Sequence, residues 1–166
     1  MLMMGVACTP SLNWREVRIE LSDVSVLMPC KPDRASRPIA LQVKEKTVST
    51  NLHLLGCEAS DMQFTFGQIH LPPELPAADV MQAWQQASLA PMNASAHAAT
   101  TDPFSLRGAL PVPEPMRRRL KTATHQVQWL WWARGDMVYQ VALYGGLKSA
   151  TFDDTADTYF SGIKLP

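Results

Sequence analysis

Alternating apolar and polar positions recur along most of this chain, and they predict strands before anything else. Val24 to Met28 reads as one strand, closed by Pro29 and Pro32, which have no N–H to give a ladder. Arg37 to Val43 reads as a second, with Lys44-Glu45-Lys46 as the polar turn after it. Thr47 to Cys57 and Met62 to Leu71 form a long hairpin about Ser60-Asp61, after which Pro72, Pro73 and Pro76 stop the sheet. Thr122 to Ala133 and Met137 to Tyr144 form another, with Gly135-Asp136 at its turn.

The register of that last hairpin follows from its turn. If Gly135-Asp136 is a two-residue connection, Trp132 faces Tyr139, Leu130 faces Val141 and Gln128 faces Leu143. The opposite side carries Trp131 with Gln140, Trp129 with Ala142, and Val127 with Tyr144. Both sides are largely apolar, so this hairpin is expected at the centre of a sheet covered on both faces.

Helical periodicity replaces alternation in two places. Asp79 is placed to cap a helix with Gln82 three residues on, and Val80, Met81, Trp84 and Ala87 make its apolar face until Pro91 ends it. Thr151 begins a last helix whose Phe152, Ala156, Tyr159, Phe160 and Ile163 share one side. Between them, Asn93 to Pro115 is rich in Ala, Thr and Pro and reads as a long loop with one short strand near Phe104 to Leu110. The expected fold is therefore α+β: an antiparallel β-sheet of about six strands packed with two or more helices. There is no internal repeat, and residues 13–166 form a single globular domain.

Composition narrows the function. Fifteen basic and fifteen acidic residues leave no net charge, so no global field draws the chain to nucleic acid. At 166 residues and 46% hydrophobic, the chain can bury a substantial core. Gly5-Val6-Ala7-Cys8, behind an apolar run from Met1 and followed by Thr9-Pro10-Ser11, resembles the end of a bacterial lipoprotein signal. There a small residue precedes a cysteine that is acylated and becomes the mature N-terminus. On this reading residues 1–12 are signal remnant and tether, and translation starts upstream of Met1, because no Lys or Arg precedes Cys8. Three acyl chains would anchor the protein durably. Thr9 in place of Asp after the cysteine implies the outer membrane. The other reading is a cytoplasmic domain that starts at Met1 with an incidental cysteine. With Cys8 acylated, Cys30 and Cys57 remain as a pair for a disulfide, or as two buried thiols.

Candidate chemistry is sparse. No GxSxG, P-loop, HExxH or CxxC motif occurs. A two-residue Ser60-Asp61 turn sets His53 opposite Gln68 and Asn51 opposite His70, which makes His53 and His70 diagonal neighbours. Two imidazoles so placed can share a metal with a third ligand, or form a locally hydrogen-bonded polar patch. His97 lies in a loop and His125 on another strand. Trp129, Trp131 and Trp132 at strand spacing fit core, with a stacking platform as the alternative. Arg117-Arg118-Arg119 with Lys121 reads as a solvated connector, and Arg134-Gly135-Asp136 as turn chemistry.

Asn13-Trp14-Arg15-Glu16 after the lipobox cysteine, with Met28-Pro29-Cys30-Lys31-Pro32, resembles a group of uncharacterised proteobacterial lipoproteins. Arg134-Gly135 leading to Val138-Tyr139-Gln140, then Gly145 and Tyr159-Phe160-Ser161, extend the likeness across the chain. The order of elements is similar to the PsbP-like α/β/α sandwich, the fold of the photosystem II extrinsic protein and of a eukaryotic Ran-binding regulator. The resemblance implies binding and assembly roles without an assigned activity, cofactor or catalytic residue. The expectation is a non-enzymatic envelope lipoprotein facing the periplasm, with Cys8 as its membrane anchor and an unknown envelope protein as its partner. The Asn93–Pro115 loop is its contact surface. The alternative is a small-molecule or metal-binding periplasmic protein, a hydrolase among the options, with a pocket near His53 and His70.

Overall fold

The computed structural model describes residues 12–93 and 98–166. Among the described residues, nine strands and two α-helices follow one another as β1 (Arg15–Arg18), β2 (Ser25–Met28), β3 (Asp33–Val43), β4 (Lys46–Ala59), β5 (Met62–His70), α1 (Ala77–Leu89), β6 (Thr100–Pro103), β7 (Met116–Lys121), β8 (His125–Arg134), β9 (Met137–Gly146) and α2 (Phe152–Ser161), with a 3-10 turn at Ala90–Met92 after α1. Seven strands form one antiparallel sheet in the order β3-β4-β5-β9-β8-β7-β6, while β1 and β2 pair separately. The fold is α+β as expected, but the sheet is larger than six strands and the first predicted strand lies outside it.

The hairpins form where turn chemistry and alternation agree. Gly135 takes φ +56°, and Arg134 pairs with Met137, so the turn has two residues and every expected partner from Trp132–Tyr139 to Val127–Tyr144 is realised. Ser60 and Asp61 both adopt positive φ, as the hairpin turn that matches strand twist requires, and Ala59 pairs with Met62. The turn after β3 is the two residues Lys44-Glu45, with Lys46 already in β4. β3 begins at Asp33, four residues earlier than its alternation suggests. Pro38 is tolerated there because β3 is an edge strand.

Two shells close the sheet. One face carries Leu52, Ile69, Trp129, Trp131, Val138 and Ala142, and α1 packs on it through Val80, Met81 and Trp84. Gly67 makes this approach close: a Cβ there would sit 3.0 Å from the Trp84 ring. The other face carries Phe64, Phe66, Leu130, Trp132, Tyr139, Val141 and Leu143, covered by α2 together with Val24, Val26 and Met28 of the small hairpin. The three tryptophans of β8 are fully buried, so they are core, not a platform. Burying each such side chain stabilises the fold by roughly 2–3 kcal/mol.

Three local expectations need correction. α1 starts at Ala77, and Asp79 gives no cap: its carboxylate lies 2.7 Å from Lys44 Nζ, while Ala87 is exposed and Ala83 and Leu89 are buried instead. The short strand of the long loop is Thr100–Pro103, not Phe104–Leu110. Arg117-Arg118-Arg119 is no solvated connector but the middle of β7, where alternation sends Arg117 into one buried face.

Candidate functional site

Cross-strand register assembles the most differentiated surface of the molecule. Ser36 of β3 pairs with His53 of β4, and His53 pairs with Gln68 of β5, so the three form a row on the face shared with α2. The next row on this face holds Arg34 opposite Leu55. Arg34 and His53 are thus diagonal neighbours, roughly 7–8 Å apart at Cα. The tip of the β1–β2 hairpin comes down over these rows, and between them lies a cleft of about 260 Å³ lined by Ile19, Glu20, Leu21, Arg34, Ser36, His53, Leu55 and Gln68 among others. A second hollow, of about 470 Å³, continues from Arg34 along β4 to Gln63 and Thr65.

The hairpin tip explains why the cleft exists. Ile19 N–H donates to Val24 O at 2.9 Å, which closes a loop of four residues. Within it Leu21 adopts φ +65°, a left-handed conformation rare for a branched apolar residue, and is 75% exposed. The tip is fastened to the sheet through Gln68, whose Nε2 donates to Glu20 O at 2.9 Å. That bond fixes the amide's orientation, because a flipped group would face oxygen with oxygen. Gln68 is 2% exposed, and its Oε1 has no hydrogen-bond partner among the described residues. An unpartnered buried acceptor forfeits about 1–3 kcal/mol, so its retention here calls for a reason. Glu20 Oε1 also lies 3.6 Å from Arg34 Nη1 across the cleft, in a loose pair whose two side chains are exposed.

The other predicted residues are dispersed. His70 stands outside the cleft, with Nε2 2.8 Å from Asp136 Oδ2 and Nδ1 3.1 Å from Leu71 O. Among the described residues, no three His, Cys, Asp or Glu side chains are grouped so as to hold a metal ion. His125 Nδ1 meets the Thr124 hydroxyl at 2.7 Å, beside a separate hollow at the Ser60-Asp61 turn. Cys8 and His97 lie outside the described residues. Cys30 and Cys57 are joined in a disulfide with Cα atoms 6.0 Å apart, which ties the segment after β2 to β4. No helix of the described residues is long and apolar enough to cross a membrane.

Several buried polar groups elsewhere have structural roles, while Ser22 Oγ, Asp102 Oδ2, Arg118 Nε and the indole nitrogens of Trp131 and Trp132 are, like Gln68 Oε1, buried without a hydrogen-bond partner among the described residues. Burial pushes the Tyr159 phenol far above its ordinary range, and its hydroxyl donates to Thr65 O at 2.7 Å, which anchors α2 to β5. Burial likewise raises Tyr144, whose oxygen accepts from Trp129 Nε1 at 3.2 Å. Arg117 Nη2 lies 2.7 Å from Asp157 Oδ1, and its guanidinium stacks 5.1 Å above the Phe160 ring. His53 and its register partner Gln68 were legible in the sequence, but Arg34 and Glu20 were not; only His53 carried a chemical signal, and the hairpin tip that completes the cleft is distant in sequence. No protein-family model matches the chain, and no curated protein matches its sequence.

Proposed function

We propose that the chain is a lipid-anchored protein of the bacterial cell envelope, held at the outer membrane through Cys8. Its PsbP-like domain acts there as a binding or assembly factor and not as an enzyme. The observation that supports this reading best is the Cys30–Cys57 disulfide. Disulfides persist in the periplasm and outside the cell and are rare in a reducing cytosol. Pairing these two leaves Cys8 as the third cysteine of the chain, free for acylation. A tether raises the local concentration of the domain at the membrane, so modest affinity for an envelope partner suffices. The long segment before β7 offers a contact surface, with Val112 78% exposed.

The test is incorporation of labelled palmitate, with membrane fractionation, for protein expressed from its native locus with the upstream DNA included. Label on the wild type and none on Cys8→Ser is the expected result. Unlabelled, soluble wild-type protein overturns the anchor and the compartment with it.

A second reading, binding of a small molecule by the same domain, is favoured by the cleft beneath the hairpin tip. Its lining combines a cation, an anion, an imidazole and the side chain of Gln68, whose buried amide oxygen has no partner among the described residues.

A further inference from the structure

We infer that the cleft between the β1–β2 tip and strands β3 to β5 binds a free α-amino acid with an apolar side chain. This rests on the ligand-binding reading of the cleft and is independent of the membrane anchor.

Charge is separated across the cleft. The sheet side presents Arg34, His53 and the Ser36 hydroxyl, and all three can donate hydrogen bonds to a carboxylate. The hairpin side presents the Glu20 carboxylate, and Gln68, which also lines the cleft and holds Glu20 O through Nε2, carries a buried amide oxygen without a donor among the described residues. A ligand anionic at one end and a multiple donor at the other satisfies both sides, and an ammonium next to a carboxylate is the smallest group that does so. The ammonium bonds Gln68 Oε1 and pairs with Glu20, while the carboxylate takes over Arg34. Each half of the Glu20–Arg34 pair then gains an opposite charge in place of a loose 3.6 Å contact. That pair is exposed and therefore weak, so opening it is cheap.

Size and apolarity set the rest. About 260 Å³ is below the usual range for drug-sized ligands and suits one residue better than a peptide. Ile19, Leu21 and Leu55 supply the apolar walls. Leu21 holds an uncommon backbone conformation at the lip while its side chain is left in water. Strain of this kind concentrates at ligand clamps, and an apolar side chain in the cleft gives Leu21 a surface to cover. The Gln68 oxygen is reached once the tip, fastened to the same amide through Glu20 O, shifts outward.

Calorimetric titration of the full chain with L-leucine, N-acetyl-leucine and leucinamide tests the proposal, alongside the side-chain NH₂ signals of Gln68 in an amide NMR spectrum. Leucine is expected to bind and to move those signals, with each blocked analogue about tenfold weaker or more. Arg34→Met is expected to weaken leucine about tenfold and to leave leucinamide unchanged, since only the carboxylate arm is lost. Gln68→Met should weaken leucine and spare N-acetyl-leucine. If that variant does not fold, the exposed Arg34→Met still decides the matter. Equal binding of leucine and N-acetyl-leucine, or unchanged affinity in Arg34→Met, overturns the amino-acid assignment and leaves a different small ligand in the cleft. No heat and no spectral change with any probe overturns the assignment and the ligand-binding reading together.

Discussion

The two faces of the main sheet are closed in different ways. The face under α1 is covered by a helix that follows directly on β5, so its cover is delivered by a short connection and held by packing. The opposite face is covered by the β1–β2 hairpin and by α2, which come from far ends of the described chain. Here polar and covalent stitches gather. Ser25 and Lys164 exchange backbone hydrogen bonds at 3.0 and 2.9 Å, Lys164 reaches Glu16 across 148 residues, and the disulfide fastens the segment after β2 to β4. Bringing distant segments together costs loop entropy that a local helix does not face, and the stitches offset it. The difference also explains the cleft. A hairpin held at its base and at one tip residue leaves space beneath it, whereas α1 lies flat on its face.

The disulfide is the strongest way to break this asymmetry. It spans 27 residues, and the chain-entropy estimate for a loop of that size is about 3.5 kcal/mol. Cys30→Ser with Cys57→Ser is expected to lower the unfolding free energy by that order in denaturant titrations. Amide exchange should accelerate in Arg15–Met28 well before Ala77–Leu89. Equal acceleration in both segments would show that the two faces open as one unit.

The ion pairs that fasten the two helices give a smaller and sharper contrast. Arg117 is 8% exposed and meets Asp157, Gln128 and the Phe160 ring, whereas Lys44, which pairs with Asp79 on α1, is exposed. Asp157→Ala removes the anion from a largely buried guanidinium and is expected to cost about 1–2 kcal/mol, with solvent at the exposed aspartate limiting the loss. Lys44→Ala removes an exposed, water-screened cation from an aspartate whose side chain is 18% exposed, and is expected to cost less, about 0.5–1 kcal/mol. Thermal unfolding of the two variants measures both, and matching losses would mean that burial of the arginine adds nothing.

What could be read in the residues follows the same division. The β8–β9 register was legible to the residue, because a two-residue turn and alternation leave one solution in which both sides are apolar. The helix α2 was legible from Phe152, Ala156, Tyr159 and Phe160 for a similar reason. The strand β7 was not, since three consecutive arginines look solvated until Asp157, Phe160 and Gln128 arrive from elsewhere to receive one of them. A period-two pattern of Met116, Arg118 and Leu120 was the available signal, because arginine stems can line an apolar face. Four residues with a terminal proline, as in β6, carry too little pattern to be read at all. The cleft combines both cases: the β4–β5 register placed His53 beside Gln68, but nothing local announced that Glu20 and Leu21 would fold down upon them.

The smallest expected effect isolates a single stitch. Glu16 accepts from Lys164 Nζ at 2.6 Å and from Ser25 Oγ at 2.9 Å, and these two contacts hold its carboxyl below the ordinary value of 4.5. A carboxylate depressed in the folded state stabilises fully above its unfolded pKa, and the contribution disappears as pH falls through the folded value. The melting temperature of the wild type should therefore drop more steeply below about pH 4.5 than that of Glu16→Gln, and the gap should narrow in high salt, which screens exposed charges. At neutral pH the variant should lie slightly below the wild type, with the loss felt in β1 and in the residues after α2. If the two curves run parallel into acid, the Ser25–Lys164 backbone bridge and the disulfide hold that face closed without help from the carboxylate.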